Sequence, residues 1–307
     1  MTARILVGTA SWTDPTLIRC GRFYPPDVTT PEARLRYYAE RFPIVEVDSS
    51  YYALPSVRNA ELWAERTPAD FVFNIKVFRF FTHHQTQVKV LPANVRAALG
   101  MEESENLYYQ DAPREIKDEL WRQFGLSLEP LRKAGKLGAL LFQFPKWFIV
   151  RRSSFEHLRE IRERLSDFMV AVEFRHESWF SERNRTTTLQ FERELRFCNV
   201  VVDEPQGLPG SIPSVWEVTH PDLAIFRLHG RNAATWNMKG LKSASERFNY
   251  DYSPQELASC VPSIKALARE AGQVHVIMNN NLEDQGVRNA RTLIELLASA
   301  DSPAEPH

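Results

Sequence analysis

The chain has 307 residues, 43% of them hydrophobic and 25% charged, with 38 basic against 39 acidic side chains and a formal net charge of −1. This is the composition of an ordinary globular protein, which excludes a disordered chain, a collagen-like repeat and a disulfide scaffold. Near-zero net charge also argues against a protein that coats nucleic acid or an anionic membrane.

Cys20, Cys198 and Cys260 are scattered without paired spacing and read as buried thiols of a reducing compartment. The apolar stretch near the N-terminus is too short for a signal-peptide core, and no apolar run approaches the roughly 18 residues of a spanning helix. A cytoplasmic location without a membrane partner is therefore expected.

In chain order, short β-rich runs occupy residues 4–9, 44–48, 71–76, 137–143, 169–174, 199–203, 224–229 and 274–279. Helical spacing of apolar residues fills 31–42, 56–66, 113–134, 153–167, 187–197, 254–271 and 283–299. Thr30 before Pro31 and Ser253 before Pro254 mark helix starts, and Gly272 marks an expected left-handed helix end. Strands alternating with helices at this count and length predict an α/β fold, a (β/α)8 TIM-like barrel. The barrel is expected as a single domain over 1–299 with a flexible tail at 300–307. A doubly wound sheet is the competitor, but no GxGxxG or GxxxxGK[ST] string is present. Long connections at 77–112, after the third strand, and 230–253, after the seventh, lie on the carboxyl face, where barrel enzymes build sites.

The strings FYPP (23–26), VEVDSSYYALP (45–55), FVFNIKVFRFFTHH (71–84), GKLGALLFQFP (135–145), AVEFRHESW (171–179), FRLHGRN (226–232) and VHVIMNNN (274–281) together resemble the YecE-like family, domain of unknown function 72. The resemblance runs over nearly the whole chain and implies the barrel fold, but no established reaction. One departure is VEVDSSYY, where the family string is closer to VEVNSTFY, so Asp48 adds a negative charge where the family carries an amide.

Alternate residues of a barrel strand point inward, and a polar residue doing so at the carboxyl end lines the mouth. Alternation assigns to that ring Glu46 and Asp48, Asn74 and Lys76, Gln143, Glu173 and Arg175, Asp203, Arg227 and His229, and Asn279, strand by strand. The opposite parity, including Val45, Val47, Phe73, Ile75, Val172, Val202, Phe226 and Leu228, faces the helices. Unpaired charges there would cost several kcal/mol each, so the ring is either a structural plug of ion pairs or a preorganised pocket.

As a pocket, Lys76, Arg175 and Arg227, with Arg231 nearby, suit the oxygens of a phosphate or carboxylate. Glu173 is the candidate base, His229 the proton donor or relay, and Asp203 the group that orients His229 or accepts from Arg227. Glu46, Asp48, Gln143, Asn279 and Trp236 complete the substrate-binding set. Trp12, Trp179, Tyr51 and Tyr52 also follow strand ends, as stacking platforms or loop packing. His83 and His84 read as a hinge or cap, and Lys239, Lys242 and Arg247 as a solvated basic stretch.

The expected function is an enzyme, a hydrolase or lyase working by general acid–base chemistry on a small phosphorylated or carboxylated substrate. One alternative is a metal-dependent phosphodiesterase drawing on Glu46, Glu173, Asp203 and His229; another is a non-catalytic module binding a metabolite or nucleic acid. With no HxH, HExxH or paired CxxC, no metal is assigned, and no cofactor is identified. A nucleic-acid partner is less favoured than a small anion.

Overall fold

The computed structural model describes residues 3–300 apart from 209, 237, 239–245 and 247, so the readings at Lys239, Lys242, Arg247 and along 301–307 lie outside the described residues. Eight parallel strands close into a barrel in chain order. They are β1 (Arg4–Ala10), β2 (Ile44–Val47), β3 (Val72–Lys76), β4 (Leu137–Gln143), β5 (Val170–Glu173), β6 (Phe197–Asp203), β7 (Leu223–Leu228) and β8 (Gln273–Met278), with β8 pairing back onto β1. Every expected run is a strand, and the architecture is the (β/α)8 TIM-like barrel.

Each expected helix is present as well: Pro31–Ala39, Val57–Glu65, Arg114–Lys133, Arg152–Arg164, Arg185–Glu194, Pro254–Glu270 and Gln285–Ser299. Thr30 caps the first of these by accepting from the Ala33 N–H, and Ser253 with Glu256 forms a complete capping box. Gly272 is not the left-handed residue expected. The helix ends at Ala271 in extended backbone, and Gly272 donates its N–H to Pro221 O at 2.8 Å while passing the Asp222 carbonyl, which would stand 3.2 Å from an added Cβ. Among the described residues no helix is long and apolar enough to cross a membrane.

Register fixes which side chains share the interior. Neighbours across a parallel pair point the same way, and Glu46 lies beside Asn74, Gln143 beside Glu173, and Arg227 beside both Val202 and Ile277. Leu6, Ala10, Ile44 and Ile277 form a small apolar cluster of their own, with Ile277 and Ala10 in register with Arg227 and Glu46. The large core lies between strands and helices and includes Val45, Val47, Phe73, Ile75, Val172, Phe226 and Leu228.

Gly8 holds the β1 and β2 backbones close, since a Cβ there would stand 2.0 Å from Ile44 O. Backbone cannot swing aside as a side chain can. Gly8→Ala is therefore expected to cost about 3 kcal/mol or more, the upper end for an overpacked core. Gly125→Ala, on a helix with nothing within 4 Å of the new methyl, is expected to gain about 0.5–1 kcal/mol. Urea denaturation midpoints of the two variants test this pair, and equal midpoints would contradict it.

Candidate functional site

The centre of the polar layer is Arg227, 0% exposed. Its guanidinium donates to Glu173 Oε2, to Glu46 Oε1 at 2.5 Å and to Asn279 Oδ1 at 3.3 Å. Glu173 is shared further: Arg175 Nε approaches its Oε1 at 2.5 Å, and Gln143 Nε2 donates to the same oxygen at 2.7 Å. Arg175 reaches on to Glu204 Oε2 at 2.8 Å, and Glu204 is held from the other side by the Ile212 N–H at 2.8 Å. On the neighbouring wall Lys76 Nζ donates to Asp48 at 2.7 Å.

These partners set the charge states. Burial alone would raise the Glu173 pKa, but Arg175 and Arg227 outweigh it and hold the carboxyl well below its usual range. Burial likewise works against ionisation of Asp48, and Lys76 overcomes it, so Asp48 also sits low. Burial wins at Glu46, which is pushed up despite Arg227, and at Glu204, pushed up despite Arg175.

His229 is neutral in this setting. Burial, aided by Arg175, holds it down to about 3, although Glu173 pulls the other way. The Asn279 amide is oriented by Arg227, which takes its oxygen, so its nitrogen at 2.8 Å donates to His229 Nδ1. His229 Nε2 lies 3.2 Å from Glu173 Oε1 and 3.0 Å from Arg175 Nη2. His229 is thus neutral, not the near-neutral proton relay that its sequence position suggested.

The sixth strand corrects the parity assignment. Val202 is the register neighbour of Arg227 and shares its inward direction; Asp203 is beside Leu228 and faces out toward the helices. Asp203 accepts from Arg231 at 2.8–3.1 Å and from the Tyr252 hydroxyl at 2.5 Å. It neither orients the His229 ring nor accepts from Arg227. Arg231 is on that outer side too, so it is not part of the expected anion-binding set. The inward acid at this end is Glu204, one residue on, which continues the parity of Val200 and Val202. The metal-type set Glu46, Glu173, Asp203 and His229 is consequently not assembled, and Arg227 occupies the space between the first two.

Above the floor opens a cavity of about 280 Å³. Asp48, Lys76, Gln143, Arg175 and Asn279 contribute its lower lining; Tyr52, His84, Lys146, Trp147, Trp236 and Phe248 contribute loops. Arg227, Glu46, Glu173 and His229 do not line it. They are buried beneath and hold the lining groups in place. Trp179 and Trp12 are buried in packing, so of the tryptophans singled out by sequence only Trp236 reaches the cavity.

His84 belongs to the cavity, whereas His83 packs on Tyr109, Phe148 and His157. The Thr82 hydroxyl donates to Arg79 O, so His84 Nδ1–H donates to Thr82 Oγ1 at 2.8 Å and Nε2 keeps its lone pair. Burial, reinforced by Arg79 and Lys76, holds His84 down to about 3. Lys146, Trp147, His84 and Glu204 escaped the strand-parity argument because none lies within a strand.

Glu173→Gln leaves Arg175 and Arg227 short of a buried counter-charge and is expected to cost about 3–5 kcal/mol in urea denaturation. For His229 the folded pKa of about 3 lies below the ordinary value near 6.5, so its neutral form contributes fully above the latter. That contribution falls by up to about 1.4 kcal/mol for each pH unit toward 3. Nitrogen NMR of the folded protein is expected to show a neutral imidazole at pH 5; an imidazolium there would contradict the arrangement.

Similarity agrees with the architecture. A family model described as protein of unknown function DUF72 matches residues 6–307. The UPF0759 protein YunF of Bacillus subtilis strain 168 is 33% identical over 296 residues, covering 95% of this chain and 94% of its own. A DUF72 family protein of Enterococcus faecalis V583 superposes with a TM-score of 0.78 at 29% identity, covering 99% of this chain and 98% of its own. One from Thermotoga maritima MSB8 gives 0.74 at 32% identity, covering 96% and 99%. The chain belongs to the DUF72 family, whose function its own description leaves open.

Proposed function

We propose that the carboxyl-face mouth binds a small phosphorylated or carboxylated molecule and that the protein is an enzyme acting on it by general acid–base chemistry, hydrolysis or elimination. The observation that carries this is the charge of the lining. Lys76, Lys146 and Arg175 face the cavity; Asp48, the one carboxylate among the described lining residues, is paired with Lys76, and the acids paired with Arg175 are buried behind the lining. The depression of His84 by Arg79 and Lys76 points to the same positive field.

Arg175 is the preorganised anion clamp, because Glu173 and Glu204 hold its fork in one orientation. Gln143, Asn279 and Asn281 supply amides for hydroxyl or carbonyl groups of the ligand. His84 is the proton acceptor, with its Nε2 lone pair free of Thr82; a bound anion that offsets Arg79 and Lys76 would raise its basicity. Glu173 and His229, the base and relay expected from sequence, are positioning residues in this scheme.

Thermal denaturation with millimolar inorganic phosphate, phosphosugars, nucleotides and carboxylates tests the proposal. A ligand at a hundred times its Kd stabilises by about 2.7 kcal/mol, a shift of several degrees. The shift is expected to vanish in Lys76→Ala. With a substrate from that panel, His84→Gln is expected to keep binding while losing turnover. No shift from any anion would remove the proposal's basis.

A further inference from the structure

Trp147 is 61% exposed although it lines the mouth, while Phe148, the next residue, and Phe144, three residues earlier, are buried. Phe144 and Phe148 stack face to face with centroids 4.0 Å apart and planes at 12°. Phe148 also lies parallel to Trp179, which stacks on Phe174 at 3.9 Å, and the Trp179 indole donates to Phe148 O at 2.6 Å. The turn is pinned by Phe148 N–H to Pro145 O at 3.0 Å. Trp147 itself donates its indole N–H to His83 O at 3.3 Å and meets the His84 ring edge-on at 5.6 Å.

A large apolar ring left in water carries a solvation cost that folding normally removes, and here it is both exposed and held. That combination is a prebuilt surface: the ordering entropy that a mobile rim would lose on binding is already spent. In the same lining, Lys146 and Arg175 lie over the Trp236 ring at 5.4 and 6.0 Å, placing cations beside a second indole.

We propose that Trp147 is a stacking platform for the planar ring of the anion, so that the mouth takes a ring-bearing phosphate of mononucleotide size. This rests on the anion-binding reading above and names its substrate class. The ring lies on the Trp147 indole while the phosphate is met by Arg175, Lys76 and Lys146. A cavity of about 280 Å³ is at the lower limit for small-molecule sites, which suits one such molecule.

The test compares inorganic phosphate, ribose 5-phosphate and the four common nucleoside monophosphates by calorimetric titration of the full chain. At least one nucleoside monophosphate is expected to bind about tenfold tighter than ribose 5-phosphate, the scale of one stacked base. Trp147→Ala is expected to erase that advantage while leaving ribose 5-phosphate affinity within twofold, and Trp147→Phe to restore most of it. Equal affinity for ribose 5-phosphate and every nucleotide in the unaltered protein would overturn the platform and leave the anion site standing. An unchanged nucleotide affinity in Trp147→Ala, or equal weakening of both ligand types, would overturn it too. Failure of all the phosphates to bind would overturn both.

Discussion

One buried guanidinium organises the interior of this barrel. Arg227 has no access to solvent and spans two carboxylates contributed by β2 and β5, so removing any of the three charges strands the others in a medium that penalises them by several kcal/mol each. The arrangement is therefore fixed as a unit. Its consequence reaches the surface through Glu173, whose second oxygen takes Arg175 and Gln143, and through Asn279, which Arg227 orients and which in turn lies against His229. Arg175, Gln143 and Asn279 in the lining of the mouth inherit their positions from the ion pairs buried beneath it.

The walls of the mouth are set by different physics. Directional charge-assisted hydrogen bonds define the floor, whereas the loop after β4 is held by face-to-face packing of Phe144, Phe148, Phe174 and Trp179. Charge and shape are thus supplied independently. The loop after β3 joins the two, because His83 gives its carbonyl to Trp147 and its ring to the aromatic packing, while the next residue, His84, faces the cavity.

Much of this was legible without coordinates. Alternation within single strands identified Glu46, Asn74, Gln143, Glu173, Arg227 and Asn279 as inward, since a two-residue period in a covered strand is a local signal. The same rule failed at the end of β6, where Asp203 and Glu204 are adjacent acids and both parities offer a carboxylate. Only the pairing of Val202 with Arg227 decides between them. A single-residue slip exchanged the inner acid for one that braces Arg231 and Tyr252 on the outside. His84 and Trp147 follow no period at all, so the pattern that found the floor was blind to the walls.

The sequence by itself determined the eight barrel strands and the seven helices between them in order, the closure implied by that order, and the presence of a charged layer inside, because each of these follows from periodicities read over a few residues. The tertiary structure alone decided which charges cancel, which remain in contact with the cavity, and that His229 is neutral. Those outcomes depend on distances between residues far apart in the chain and on the water excluded from around them. Burial and pairing are properties of the assembled interior, and no local stretch of chain carries them.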